Sequence, residues 1–287
     1  DLDDLVALGD IISSPQNSVI RDIRSLRRRQ ARQVERAFVV EGERAVADAL
    51  GRGVAPRWVL IREGWQPQLP ALPELLAGVN TLRVATATVF DGVADTEHPA
   101  GILVVLSMPA HPIAGDVDLL VLVDQVRDPG NLGTLIRSAA AFGATCLLLT
   151  PATVDPYHPK TVRAAMGAHF AISIGALDAA WRERLSAGDV QVVVSRGDGG
   201  NAPDEIDWCR PSVLVIGNEA TGVSDEVEGL ATTTVTIPMH GQVESLNAGI
   251  AGAVILSEVA RQRRQLGRTG PSPPDAPGIS RTIPPTF

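Results

Sequence analysis

Aromatic residues are scarce in this chain, at 3% of 287 residues. That scarcity excludes the wide aromatic platforms on which some sheets stack unpaired bases. Lysine is rarer still: Lys160 is its one representative among 25 basic residues. The bias reads mainly as genomic composition, although arginine does offer a planar fork suited to phosphate. The two cysteines, Cys146 and Cys209, are too few to staple a chain this long and have no partners spaced for zinc, so both are expected to be core or incidental thiols. No stretch reaches the roughly 18 uncharged apolar residues of a membrane-spanning helix, and residues 1–10 lack the basic-then-apolar layout of a signal peptide. The expectation is a soluble cytoplasmic protein. His98, His111, His158, His169 and His240 fall at no metal-ligand spacing, and neither G-x-S-x-G nor H-E-x-x-H occurs, so no metal is expected.

What is present is 45% hydrophobic and 20% charged with a formal net charge of -8, the composition of folded domains. At roughly 150 residues per domain, two are expected. The acidic balance argues against a protein coated in nucleic acid, but the charge is unevenly spread. Within residues 18–36, SVIRDIRSLRRRQARQVER, seven arginines face only Asp22 and Glu35. Read as one amphipathic helix with Val19, Ile23, Leu26 and Val34 on its apolar face, this segment carries Arg21, Arg24, Arg28 and Arg32 as a stripe. The stripe is either an RNA-binding face or a solvated charged one.

Residues 18–107 read as a small α/β unit, with FVVEG, WVLI and ILVVLSM as strands. Periodicity lapses in SMPAHPIAGD (107–116), which marks a linker. From residue 117 to 264 the runs LLVLV, CLLL, VQVVV and VLVI are each followed by a turn and a helical pattern. Continuous apolar runs predict strands buried on both faces, hence an α/β domain with a mostly parallel sheet. A last helix is expected from about Ser245 to Gln265, and the Pro-rich segment 266–287 reads as a disordered tail.

Three segments of this second domain carry candidate chemistry. In DQVRDPGNLGTLIRSAAAFGA (124–144), a strand ends, a Pro-Gly turn follows, and Asn131 and Gly133 open a helix. Arg137 stands out in its small, apolar surroundings, either as a site group or as a surface arginine whose stem snorkels. In LVIGNEATGVSDEV (214–227), a strand runs directly into Gly217, Asn218 and Glu219, with Gly222 before a helix near Ser224. Ligands of open α/β sheets bind beyond the carboxyl ends of strands, although an ordinary strand-to-helix turn would use the same residue types. In IPMHGQVESLNAGIAGAVILSEVA (237–260), a short strand and polar loop lead to Ser245, Leu246 and Asn247 at the start of a helix. Ala248 with Gly252, and Gly249 with Ala253, lie one turn apart there, so another backbone could approach closely.

Together these motifs resemble those of the SPOUT class of methyltransferases, specifically the TrmH (SpoU) subfamily. Asn131, Gly133 and Arg137 match N-x-G-x-x-x-R; Gly217, Asn218, Glu219 and Gly222 match G-N-E-x-x-G; Ser245, Leu246 and Asn247 match S-L-N. PKTVRAAMGAHF (159–170) also looks like the family's stretch between the first two motifs, and FVVEGERAVADAL (38–50) resembles the opening of a ribosomal-protein-like substrate-binding domain. The resemblance implies methylation of the 2′-hydroxyl of ribose in RNA, with S-adenosylmethionine as cofactor, a deep trefoil knot and a homodimer sharing groups across its active sites. Large-subunit ribosomal RNA is the substrate it favours; transfer RNA methylation, or a ribosome-binding factor without turnover, are the alternatives. By the same resemblance the catalytic set is Arg137, with Asn131, Glu219 and Ser245 positioning Arg137 and the ribose and Asn247 holding the loop. Ile216, Gly217, Asn218, Gly222, Ile237, Met239 and Leu246 would bind the cofactor. Because an arginine does not readily deprotonate, Arg137 is read as a clamp on developing alkoxide rather than as a literal base. Lys160 and Arg163 share a helical face and are read either as RNA contacts or as surface residues. An oxidoreductase is disfavoured by the missing glycine fingerprint.

Overall fold

A computed structural model describes residues 11–109, 118–241 and 245–267. The Pro-rich segment beyond Gly267, and most of the expected linker, lie outside the described residues. Two compact units meet in sequence at Met108 and Pro109.

The first unit comprises α1 (Ser18–Ser25), α2 (Arg29–Glu35), β1 (Ala37–Glu41), α3 (Glu43–Gly51), β2 (Pro56–Arg62), α4 (Leu72–Ala77), β3 (Leu82–Ala85), α5 (Ala87–Asp91) and β4 (Ile102–Ser107). Its sheet runs β1-β4-β2-β3. β4 is antiparallel to both neighbours, and β3 joins β2 in parallel. Ile20, Ile23, Leu60, Phe90 and Leu103 are fully buried together in one of its cores.

One helix was expected over 18–36; the structure breaks it in two. Arg28 is extended (φ -88°, ψ 131°) and caps α2. The Arg32 side chain folds back so that Nη1 donates to the carbonyls of Leu26 and Arg27, each at 2.8 Å. Those carbonyls lie in the turn just after α1 and would otherwise have no hydrogen-bond partner among the described residues. Arg32 is therefore 2% exposed and leaves the expected RNA-binding stripe, while Arg21, Arg24 and Arg28 stay on the surface. Val34, expected inside, is 74% exposed because the break rotates α2 relative to the single-helix register.

The second unit contains β5 (Leu119–Val123), α6 (Pro129–Ala141), β6 (Cys146–Leu149), α7 (Pro159–Ala165), β7 (Ser173–Ala176), α8 (Ala179–Ser186), β8 (Gln191–Ser195), β9 (Ser212–Ile216), α9 (Asp225–Glu228), β10 (Thr233–Val235) and α10 (Ala248–Gln265). Its sheet runs β10-β8-β9-β5-β6-β7, and every pairing is parallel. The central β5 and β9 are buried along their whole length, which is what their unbroken apolar runs require. The edge strands β7 (SIGA) and β10 (TTV) carry no such run, and the short strand expected near Ile237 lies instead at Thr233–Val235. Cys146 is buried in β6, where desolvation pushes its thiol up to about 12.

Small residues set how closely the helices of this unit approach. A Cβ on Gly252 of α10 would stand 2.3 Å from Leu135 Cδ2 of α6, and one on Gly249 would stand 3.0 Å from Thr134 Cβ. On the opposite side of α6, a Cβ on Gly133 would stand 2.4 Å from Ala164 Cβ and 2.7 Å from the Thr161 carbonyl of α7. The far end of α10 is anchored by Arg263, whose guanidinium donates to the Asp118 carboxylate (2.6 Å) and to the carbonyls of Trp208 (3.0 Å) and Asp118 (2.8 Å).

Because backbone atoms crowd Gly133, Gly133→Ala should destabilise this unit by ~1–3 kcal/mol, measured by denaturant unfolding with an unchanged m-value. His169 is buried, with Nε2 2.7 Å from the Pro156 carbonyl, and burial lowers its pKa to about 4 from an ordinary 6.5. The unfolded chain therefore takes up this proton first as pH falls, so the stabilising contribution is complete above pH 6.5 and disappears as pH approaches 4. Between pH 7 and pH 5 the wild type should lose ~1–2 kcal/mol more stability than His169→Gln, read from unfolding curves at both pH values.

Candidate active site

Beyond the carboxyl ends of β5 and β9, three loops from distant parts of the sequence are joined by side-chain hydrogen bonds. Asp128 caps α6 by accepting from Asn131 N at 2.9 Å, which sets the first turn of that helix. Asn131 then uses both ends of its amide. Its Nδ2 donates to the Glu219 carboxylate, and its Oδ1 accepts from Asn247 Nδ2 at 2.6 Å. Asn247 is itself the N-cap of α10, its Oδ1 accepting from Ile250 N at 3.2 Å. The chain Glu219–Asn131–Asn247 thus ties one residue of each sequence motif to the other two, and the polarity of each amide follows from its partners.

The loop after β9 is held in shape by Asn218. Its backbone exchanges two hydrogen bonds with Gly222, both 2.9 Å, and its Oδ1 accepts from Ala220 N (2.9 Å) and Thr221 N (3.2 Å). Its Nδ2 reaches the Gln125 carbonyl at 3.0 Å. A Cβ on Gly217 would lie 2.6 Å from the Gly222 carbonyl carbon, so glycine is required for the loop to close this tightly. Beneath it sits Asp124, 1% exposed, accepting from Thr150 Oγ1 (2.7 Å) and Ser224 N (2.6 Å). Asp124 fixes the β5 and β9 loops against each other. Sequence reasoning passed over it because a carboxylate directly after a buried strand gives no sign of where its partners come from.

Alongside these loops opens a cavity of about 390 Å³. Ile216, Gly217, Asn218, Gly222, Ile237, Met239 and Leu246, all seven expected cofactor residues, line it, and so do Glu219 and Ser245. Its walls are apolar side chains and glycine backbone, with charged groups at Arg196, Asp198, Glu219 and Glu228. The volume falls within the range of small-ligand sites, and the mix of apolar wall with a few polar groups fits a nucleoside carrying a charged tail. Arg196 is ion-paired with Glu228. The segment after β8, Arg196 to Asp198, was missed by sequence reasoning; its signal is the RGDGG turn directly following a buried strand.

Arg137 is exposed on α6, does not line the cavity, and makes no hydrogen bond or ion pair among the described residues. Lys160 is exposed and Arg163 half-buried on α7, so the candidate RNA-binding residues are divided between the two units. No group of three or more His, Cys, Asp or Glu among the described residues is arranged to hold a metal ion.

Residues 118–257 match the model of the SpoU rRNA Methylase family, and residues 17–104 match the MRM3-like substrate binding domain. The chain is 31% identical to the 23S rRNA (guanosine(2553)-2′-O)-methyltransferase RlmP of Bacillus subtilis, over 85% of this chain and 97% of that protein. It is 35% identical to the 23S rRNA (uridine(2479)-2′-O)-methyltransferase of Streptomyces viridochromogenes, over 82% and 86%. The crystal structure of an AdoMet-bound rRNA methyltransferase from Sinorhizobium meliloti superposes with a TM-score of 0.75 at 32% identity, covering 90% of this chain and 98% of that one. With this sequence likeness across both units and an all-parallel sheet whose strand ends carry the three motifs, the chain belongs to the SpoU rRNA methylase family.

Proposed function

We propose that the protein transfers a methyl group from S-adenosylmethionine to the 2′-hydroxyl of a ribose in 23S ribosomal RNA, in the cytoplasm. The observation that carries this reading is the Glu219–Asn131–Asn247 hydrogen-bonded chain standing beside a cavity walled by apolar side chains, glycine backbone and charged groups. The ribosomal substrate is supported by the MRM3-like substrate binding domain at residues 17–104 and by the names of RlmP and its Streptomyces counterpart. We assign residues 18–107 to substrate binding and 117–264 to methyl transfer, with Arg21, Arg24, Arg28, Lys160 and Arg163 contacting RNA.

The residues present fit the cofactor. Ile216, Ile237, Met239 and Leu246 offer apolar surface to a purine, Gly217 and Asn218 offer backbone groups, and Gly222 has open space on its Cβ side. When bound, S-adenosylmethionine supplies an electrophilic methyl on a sulfonium. The protein's task is then to place the acceptor oxygen in line and stabilise the charge that develops on it. Glu219, Asn131, Asn247 and Ser245 orient the ribose, and Arg137 holds the developing alkoxide or its adjacent phosphate as a fixed cation. The proton leaves to solvent or another acceptor.

Arg137 is absent from the cavity wall of its own chain, which supports an active site completed by a second copy. The apolar pair Ile250 and Val254, 49% and 43% exposed one turn apart on α10, supports a homodimer through that helix. The trefoil knot is supported by the strand order and by the close seating of α10 on α6.

The test is incubation of wild type and Arg137→Ala with methyl-labelled S-adenosylmethionine and unmodified ribosomal or transfer RNA, followed by alkaline hydrolysis. A methylated 2′-oxygen cannot attack its phosphate, so label should survive in alkali-resistant dinucleotides from ribosomal RNA. Arg137→Ala should lower turnover ~100-fold or more while still binding cofactor. Label confined to transfer RNA would move the substrate, and cofactor binding without label on any RNA or ribosomal particle would leave a binding factor.

A further inference from the structure

Among the described residues three carboxylates line the cavity, and the protein engages two of them: Glu219 accepts from Asn131, and Glu228 pairs with Arg196. The third, Asp198, makes no hydrogen bond or ion pair among the described residues.

Its loop is nevertheless built to a definite shape. Leaving β8, Arg196 N donates to the Val235 carbonyl at 2.9 Å. Gly200 N then donates to Thr236 Oγ1 (2.9 Å) and Asn201 N to the Thr234 carbonyl (3.1 Å), while Thr236 N returns to the Asn201 carbonyl (2.9 Å). A Cβ on Gly200 would sit 2.8 Å from the Val235 carbonyl carbon, so the loop lies flat against the chain at β10, and Gly199 turns it at φ +70°. Both ends of the segment are thereby fixed, and Gly197 and Asp198 between them face the cavity.

Asp198 thus stands just beyond the carboxyl end of β8, next in the sheet to β9, whose own loop forms another part of the cavity wall. In a parallel sheet, an acidic group at such a strand end can accept hydrogen bonds from a nucleoside sugar, because a carboxylate offers two acceptors to two adjacent hydroxyls. A ribose buried without such partners would lose the hydrogen bonds it makes to water. We infer that Asp198 is the acceptor for the vicinal ribose hydroxyls of the cofactor and is the residue through which this cavity recognises the sugar. The inference rests on reading the cavity as the S-adenosylmethionine site.

Calorimetric titration of the full chain tests it. Wild type, Asp198→Ala and Asp198→Asn are titrated with S-adenosylhomocysteine, with 5′-methylthioadenosine, which lacks the amino-acid tail, and with the 2′,3′-dideoxy form of the latter; circular dichroism checks that each variant folds. Asp198→Ala should weaken both ribose-containing ligands by the same factor, ~10–100-fold, and leave the dideoxy ligand's affinity unchanged. Equal loss for the dideoxy ligand would overturn the assignment, as would loss confined to S-adenosylhomocysteine, which would place Asp198 on the ammonium instead. Variants that bind all three ligands like wild type would also overturn it while leaving the cofactor reading intact. A wild type that binds neither ribose-containing ligand would overturn both.

Discussion

The second unit depends on how closely its helices lie against one another. Gly249 and Gly252 let α10 settle onto Thr134 and Leu135 of α6, and Gly133 lets α6 settle onto α7. Were these separations those of ordinary helix pairs, Asn247 at the start of α10 would not come within 2.6 Å of Asn131 at the start of α6. Glycine inside a helix costs about 1 kcal/mol relative to alanine. Here the cost is offset by a geometry in which two helix N-termini and one strand end converge on a single chain of hydrogen bonds. Arg263 completes the arrangement from the other end, bonding Asp118 ahead of β5 and so fixing α10 along the sheet.

That convergence explains which parts of the site were legible in the sequence. Asn131, Glu219 and Asn247 each sit where a strand or loop hands over to a helix, a place marked locally by Pro-Gly, Gly-Asn or Ser-Leu-Asn, and their identity is restricted by the bonds they make. Asp124 and Arg32 are equally fixed, yet their partners are carbonyls, amides and hydroxyls that any sequence could supply. Nothing local distinguishes them from surface charges. Arg32 shows the consequence: spaced correctly for a basic stripe, it is instead buried against the turn after α1.

The same contrast holds for the fold. Strands β5 and β9 announce themselves by burial on both faces, since the only residues tolerated there are apolar. The edge strands β7 and β10, half covered, carry Ser, Gly and Thr that suit a loop as well. The break between α1 and α2 was equally hidden, because Leu26 to Arg28 contains neither glycine nor proline, and the turn is stabilised by a side chain six residues away from the first carbonyl it meets.

Helix α6 carries two kinds of group. Arg137 lies six residues beyond Asn131, which on an α-helix is about 9 Å along the axis and about 120° around it. One face of α6 therefore reaches the cavity's Glu219 through Asn131, while another presents a guanidinium that makes no hydrogen bond or ion pair among the described residues. A cation whose charge does not depend on pH in the working range is suited to holding phosphate or a developing alkoxide, and poorly suited to taking a proton. On the proposed dimer, the rigidity of α6 between its two flanking helices would then fix the distance between the group that orients the ribose in one site and the cation it contributes to the other.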